Sequence, residues 1–475
     1  MTINTIKAWN LLKPLLYFSE QDPFTIGDSC EGAFVFGQTG SGKSSGIGQS
    51  LAIAMLRAGY GGLVLSAKPG EAETWMKYAR LTGRERDLVI VSPENRHRFN
   101  MLDFLYKSGG RGAGLTDNVV AIILEMLRVK DQSRGSGGDA FWTDSARQTL
   151  SCCIDLLGLA KETISFPNIA KLLNSAPTSQ EELASDVWLK KSYLNAIVDR
   201  ATANKTLSVS QETDLLVAVE YFLSQFPRMD DRTRSNILAT VNSLTFVFTR
   251  GLLVELFGST TNFGPQDTFE KGSIIVLDLP VKTFLEAGQF AQILFKTIWQ
   301  KEVERRDVSL HPRPVVMFCD EFQNFVTPYD PIFQSTARSA RVASVALTQN
   351  IDSIISRFPA HTGRAEAEAL FGNYNLKVFS AQDHVGTNEW ASKSIGQVWQ
   401  YVTNTNASLG AENGSLSAGS SQQLKYLVDP IEFVRLRKGG ESNNCMVDSI
   451  VFRSGKPFVA SGVNHLHVSL PQNLR

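Results

Sequence analysis

Apolar residues fall into two regimes along this chain. Over the first hundred positions they come as short unbroken runs: Ala33-Phe34-Val35-Phe36, then Leu63 to Ser66, then Asp87 to Val91. Between the runs the apolar spacing is helical, as at Ile47, Leu51, Met55 and Leu56, and again over about residues 71–81. Short apolar runs bounded by turn residues predict buried strands, and the spaced positions predict helices covering them. Residues 1–30 read as a short lead-in that ends in a turn at Gly27-Asp28-Ser29. A β-α-β-α-β opening of this kind predicts a parallel sheet with right-handed crossovers.

The pattern changes after Asn100. Gly109, Gly110, Gly112 and Gly114 break it, and from about Leu115 to Leu256 the periodicity is helical throughout: Val119 to Leu127, Phe141 to Leu157, Leu215 to Phe226 and Ile237 to Phe248. No strand signal interrupts this stretch. Runs of the first kind return at Ile274-Ile275-Val276-Leu277, Pro314 to Cys319, Val342 to Leu347 and Leu376 to Ser380. Helical stretches at Phe290 to Val303, residues 330–340 and Ala365 to Phe371 alternate with them. The expected architecture is α/β, a central mostly parallel sheet formed by residues 1–106 and 263–475, with an all-α domain, residues 107–262, inserted. Asn404 to Gln423, rich in Ser, Gly and Asn, predicts a mobile loop, and Cys445 to Phe452 a short β-like ending.

Composition narrows the picture a little. The 475 residues allow two or three domains with an ample core, and 43% hydrophobic with 20% charged is ordinary for a globular protein. Lys+Arg and Asp+Glu both number 47, so no global charge draws the chain to nucleic acid. Any such contact needs a local basic patch, and Arg80, Arg84, Arg86, Arg96 and Arg98 form one candidate, interleaved with Glu85 and Asp87. Five cysteines with no C-x-x-C pair indicate neither a zinc site nor a disulfide framework, which fits a reducing cytosol. No run approaches the roughly 18 apolar residues of a membrane span, and Met1 to Glu20 has no signal-peptide cleavage pattern. The chain reads as soluble.

The chemistry gathers at strand ends. Gly37-Gln38-Thr39-Gly40-Ser41-Gly42-Lys43-Ser44 satisfies G-x-x-x-x-G-K-[ST] between a strand and a helix. Its glycines let backbone N–H groups approach phosphate oxygens, and the helix start favours anions. Lys43 is expected at the β- and γ-phosphates and the Ser44 hydroxyl at Mg²⁺, making ATP with Mg²⁺ the expected cofactor. The strand Val315 to Cys319 ends in Asp320-Glu321. Asp320 is expected to hold the metal and Glu321 to polarise the attacking water. Val345-Ala346-Leu347-Thr348-Gln349 ends in an amide, so Gln349 is the candidate γ-phosphate sensor. Arg338 and Arg341, between those strands, are candidates to neutralise charge on the transferred phosphoryl group. Lys68-Pro69-Gly70-Glu71 could line the site or starts a helix. His97, between two arginines, reads as a surface residue, and no Ser-His-Asp set is recognisable.

These residues together resemble the type IV coupling proteins of conjugation and type IV secretion, the TraG/TraD group of FtsK/HerA-like RecA ATPases. The ordered series carries the resemblance. It comprises the phosphate loop, Lys68-Pro69-Gly70-Glu71, Phe99-Asn100-Met101-Leu102, Phe141-Trp142-Thr143-Asp144-Ser145-Ala146, Asp320-Glu321-Phe322, Leu347-Thr348-Gln349, Phe371-Gly372-Asn373 with Lys377-Val378-Phe379, and Asp383 through Gly396. Ser66 stands where the family motif has an aspartate. The membrane anchor usual in the family is not visible, nor is a long acidic tail.

The resemblance implies a RecA-like P-loop core forming a homo-hexameric ring, with nucleotide between subunits and Arg338 completing a neighbour's site. It implies ATP hydrolysis stimulated by DNA, single-stranded or duplex. A relaxase or other cargo would bind the helical domain, and type IV secretion channel components would be partners. The implied location is the cytoplasm, or the cytoplasmic face of the inner membrane through those partners. Two other readings stay open: a soluble FtsK/HerA-type DNA translocase in repair, segregation or defence, and a non-hydrolysing adaptor that uses nucleotide to fix its shape.

Overall fold

The computed structural model describes residues 9–109, 115–132, 140–258, 260–409 and 414–472. The chain packs into two compact units. The described part of one runs over Gly59–Val315 and Asn324–Tyr329; the other comprises Ala8–Ala58, Val316–Gln323 and Asp330–Arg475.

The strands, in chain order, begin with β1 (Pro14–Ser19), β2 (Asp22–Thr25), β3 (Ala33–Phe36), β4 (Gly61–Leu65), β5 (Leu88–Val91) and β6 (Ile274–Leu277). There follow β7 (Val315–Cys319), β8 (Val342–Thr348), β9 (Leu376–Ser380), β10 (Gln397–Leu409), β11 (Gly414–Tyr426), β12 (Met446–Arg453) and β13 (His465–Pro471).

In the unit that carries the phosphate loop the strand order is β13-β12-β9-β3-β8-β7. β3 lies between β8 and β9, parallel to both, with Phe36 opposite Thr348 on one side and Phe379 on the other. β12 joins β9 antiparallel, and β13 joins β12 antiparallel. The central strands are buried along their whole length, which is why they read as unbroken apolar runs. Phe36 packs at 5.5 Å against both Phe371 and Phe379 and at 5.4 Å against Trp390, so one aromatic cluster covers the sheet beside the loop. Truncating such a ring costs about 3–5 kcal/mol.

The other unit holds β4, β6 and β5, in that order and all parallel. Its remaining described elements between Asn100 and Ser273 are helical, with no strand among those residues. The long helix Ala140–Leu159 packs against Thr116–Gln132, Val209–Glu220 and Asp231–Thr245. Side-chain caps set the helix starts. Ser165, Ser179, Ser185, Ser192, Ser208 and Asp230 each accept the N–H three residues on, a bond worth about 1 kcal/mol. Phe99 meets Phe295 at 5.0 Å and Phe263 at 5.6 Å, tying the entry and exit of the helical stretch to the helix Val281–Arg305.

Three expectations need correction. Asn404 to Gln423 is not a loop: over its described residues it belongs to the antiparallel ribbon β10–β11, paired without a break from Gln397↔Tyr426 to Leu409↔Gly414. Residues 410–413 lie outside the described residues. Its Ser-, Gly- and Asn-rich sequence lacks the alternation that marks a half-buried strand, and its apolar residues Trp399, Tyr401 and Leu424 are exposed, so backbone pairing defines it. The lead-in contains the hairpin β1–β2, and its turn at Gly27-Asp28-Ser29 is a helical turn, Ile26–Ser29, closed by a capping box from Thr25 and Asp28. The chain also gains β13 beyond the expected β-like ending.

Among the described residues, no helix is long and apolar enough to cross a membrane.

Candidate functional site

The loop from Gly37 to Ser44 leaves β3 at its C-terminal end, where parallel α/β sheets bind ligands. Its first two N–H groups anchor it to the neighbouring strands: Gly37 donates to Thr348 O over 3.2 Å and Gln38 to Ala381 O over 3.0 Å. Gly40 and Gly42 adopt left-handed backbone, at φ +75° and +82°, which glycine takes without steric cost. The two differ in surroundings. A Cβ on Gly40 would meet nothing within 4 Å, whereas on Gly42 it would sit 2.5 Å from Val447 Cγ2. The loop is therefore packed from below and open above. Behind it the helix starts with a π turn, Ser44–Gly48, before regular α-helix over Gln49–Ala58. The expected core positions Ile47, Leu51, Met55 and Leu56 are all buried.

Two acids arrive from the end of β7. Ser44 Oγ donates to Asp320 Oδ2 at 2.9 Å, and Lys43 Nζ lies 3.9 Å from Glu321 Oε1, with those two side chains only 6% and 7% exposed. Glu321 itself has φ +58°. This strained conformation for a side-chain-bearing residue is held by its N–H donating to Asp320 Oδ1 at 3.0 Å, and such strain collects at functional sites. From the end of β8, Gln349 Nε2 reaches Glu321 Oε2 at 3.3 Å. Lys43, Ser44, Asp320, Glu321 and Gln349 are thus brought together from three strand ends, all in one unit.

There is open space next to the loop. A cavity of about 760 Å³ beside the loop is lined by Gln38, Thr39, Gln349, Asn350, Asp383 and His384, among others. Ser41 is fully buried within the loop and its hydroxyl has no hydrogen-bond partner, an orphan that a bound oxyanion would satisfy. The residues that could hold a metal beside the loop are the hydroxyl–carboxylate pair Ser44 and Asp320. No group of three or more His, Cys, Asp or Glu side chains suited to a metal occurs among the described residues. This donor set suits Mg²⁺, which keeps several waters and takes its remaining ligands from substrate phosphates.

Arg338 is not brought to this cradle. It follows the helix Tyr329–Ala337, before the start of β8, while the phosphate loop sits beyond the far ends of β3 and β8. There it pairs with Glu31 at 3.2 Å and stays 76% exposed. Lys68 and Glu71 belong to the other unit, where Gly70, at φ +90°, starts the helix Glu71–Thr82 and Glu71 accepts from Trp75 Nε1 at 3.0 Å. Ser66 is buried. Its N–H donates to Gln292 Oε1 at 2.7 Å, and Gln292 Nε2 donates back to Ser66 O at 3.1 Å. Of the arginine cluster, Arg80, Arg84 and Arg98 pair with Glu85, Asp87 and Glu255. His97 is held below the usual imidazole range by burial and by its neighbours Arg96 and Arg98, and packs edge-on against Phe263.

Sequence reasoning missed a shell of amides. Gln323 Nε2 donates to Glu321 Oε2 at 2.7 Å, and Thr348 Oγ1 donates to Gln323 Oε1 at 2.9 Å. Gln382 donates to Gln349 O. The Gln38 amide sits between Asp383 and Lys438, its NH₂ assigned toward Asp383. For Gln323 the only signal was its place two residues after Glu321; for Lys438 there was none.

A strand, a glycine loop and a helix, faced by acids from a nearby strand of the same sheet, define the P-loop class of α/β fold. The chain matches the family described as Type IV secretory system Conjugative DNA transfer over residues 3–461, and it belongs to that family. Among curated proteins it is similar to the Conjugal transfer protein TraG of Agrobacterium fabrum (strain C58), 21% identical over 408 residues, which is 86% of this chain and 56% of that protein. It is also similar to the protein of that name from Rhizobium radiobacter, 22% identical over 429 residues, 90% of this chain and 61% of that protein. The chain thus spans little more than half the length of these curated relatives. Among solved structures, the unbound bacterial conjugative coupling protein TrwBdeltaN70 aligns with a TM-score of 0.56 at 16% identity, covering 98% of this chain and 90% of that one. The plasmid coupling protein TrwB in complex with a non-hydrolysable GTP analogue aligns at 0.58 and 14%, covering 99% and 91%. TrwB with ADP and Mg²⁺ aligns at 0.56 and 14%, covering 99% and 90%. At these identities the likeness establishes the fold.

Proposed function

We propose that this chain is an ATP-hydrolysing motor that couples a DNA–relaxase or protein cargo to a type IV secretion channel during conjugation. The observation that carries it is the convergence of Lys43 and Ser44 on Glu321 and Asp320, in a chain of the conjugative DNA transfer family. In this reading the loop from Gly37 to Ser44 cradles the phosphates through the N–H groups that the sheet and the loop's own turn leave available, those of Thr39, Gly40, Gly42 and Ser44, and Lys43 neutralises their charge. Ser44 and Asp320 hold Mg²⁺, which supplies charge neutralisation at the phosphate oxygens. Glu321 orients and polarises the attacking water through its carboxylate. Gln349, bonded to Glu321 on one side and to Gln382 on the other, reports whether a γ-phosphate is present. The TrwB complexes with nucleotide analogues and with ADP and Mg²⁺ support this assignment of cofactor by analogy of fold.

Arg338, exposed and held off the chain's own cradle, is suited to complete the site of a neighbouring copy, as a homo-hexameric ring would require. The helical stretch 107–262 is the proposed docking domain for cargo. The test is phosphate release with and without single-stranded and duplex DNA, run beside light scattering. DNA-stimulated turnover by a ring supports the motor; ATP that is bound but never split assigns the chain to the adaptor reading.

A further inference from the structure

The carboxylate of Glu321 is held by more than the loop lysine. One oxygen faces Lys43 at 3.9 Å; the other accepts from Gln323 at 2.7 Å and from Gln349 at 3.3 Å. Gln323 is the better placed of the two amides. Its NH₂ makes the shorter bond, and its carbonyl oxygen is itself fixed by the Thr348 hydroxyl at 2.9 Å. Thr348 is fully buried on β8, and its backbone carbonyl accepts the Gly37 N–H at the base of the phosphate loop. A chain of contacts therefore runs from the loop through Thr348 and Gln323 to Glu321.

Without such a partner, a carboxylate on a backbone at φ +58° has rotamer freedom that blurs where it places a water. A side-chain amide bonded at both ends removes that freedom, because a hydrogen bond to a charged group is short and directional. A displacement of about 1 Å at a catalytic group can cost about 100-fold in rate.

We infer that Gln323 is the positioning residue for Glu321, and that Thr348 sets Gln323 in turn. The inference rests on the reading of Glu321 as the water-activating group. Gln323 acts through Glu321, so it should govern the chemical step and leave nucleotide affinity alone.

The test compares ATP turnover and nucleotide binding in wild type, Gln323→Leu, Thr348→Val and Glu321→Gln. Gln323→Leu should lower kcat about 10- to 30-fold with KM and the Kd for ATP within about 2-fold. Thr348→Val, which keeps the side-chain shape and removes only the hydroxyl, should give a smaller loss of the same kind, about 3- to 10-fold. In single turnover, adding Gln323→Leu to Glu321→Gln should cost less than about 2-fold, because the group being positioned is gone. If wild type turns over while Gln323→Leu keeps its kcat, or loses affinity instead, the positioning role is wrong and the motor reading stands. If the losses of Gln323→Leu and Glu321→Gln multiply in the double variant, the role is wrong for the same reason. Absence of turnover in wild type would remove both.

Discussion

The hydroxyl of Ser44 donates to Asp320 Oδ2 at 2.9 Å, between residues 276 positions apart in the chain. One side chain starts the first long helix of the sheet and the other ends a buried strand, so the contact exists only because β3 and β7 lie in one sheet, with β8 between them. If the pair holds Mg²⁺, Ser44→Ala should raise the Mg²⁺ concentration needed for half-maximal turnover by about 10-fold. Titrating the metal at saturating ATP checks this; an unchanged midpoint would remove Ser44 from the metal site.

Lys43→Ala should abolish turnover, by more than about 100-fold, while circular dichroism and the melting profile stay close to wild type. Lys43 is buried at the loop rather than in the apolar core, so its loss leaves the sheet intact. Normal phosphate release from this variant would contradict the assignment of the loop.

Glu321→Gln should bind ATP with near-native affinity and lose about 100- to 10,000-fold in kcat, the range expected on removing a general base. Equilibrium binding of a fluorescent nucleotide, read beside turnover, separates the two effects. A fall in affinity with kcat preserved would make Glu321 a binding residue instead.

Gly40 and Gly42 should respond differently to alanine, although both have positive φ. At Gly40 the added methyl meets open space, so stability should fall by only about 1 kcal/mol, with turnover lost because the methyl enters the phosphate side of the loop. At Gly42 it meets Val447 at 2.5 Å, and the loss should reach about 2–4 kcal/mol. Val447→Ala should recover part of the second loss and none of the first. Urea unfolding of Gly40→Ala and Gly42→Ala, each alone and combined with Val447→Ala, and of Val447→Ala by itself decides it.

Lys377 is nearly buried on β9, with Nζ donating to Tyr374 O at 2.6 Å. Burial pulls its amine down to about 8. A lysine lowered in the folded state costs stability wherever the unfolded chain is still protonated. The cost is largest below pH 8 and fades as pH rises from about 8 toward the unfolded value near 10.4. The drop corresponds to about 3 kcal/mol at neutral pH, falling to about 1 kcal/mol near pH 10. Loss of the bond to Tyr374 O offsets part of that gain in a substitution. Lys377→Met should therefore be more stable than wild type by about 1–2 kcal/mol at pH 7, with the advantage shrinking by pH 10. An advantage that grows with pH would refute this account of Lys377.

By itself the sequence determined the local elements and the chemistry attached to them. Unbroken apolar runs specify buried parallel strands whatever their neighbours, so β3, β7, β8 and β9 and the residues that follow them were legible. The glycine spacing of the loop and the serines that cap the helices act within a few residues, which is why they could be read without the fold. Tertiary structure decided everything that depends on strand order. It joined Ser44 to Asp320 and Lys43 to Glu321, kept Arg338 away from that cradle, and bridged Thr348 to Glu321 through Gln323. It also made a ribbon of Gln397 to Tyr426, because backbone hydrogen bonds between strands leave no periodic trace in a sequence rich in Ser, Gly and Asn.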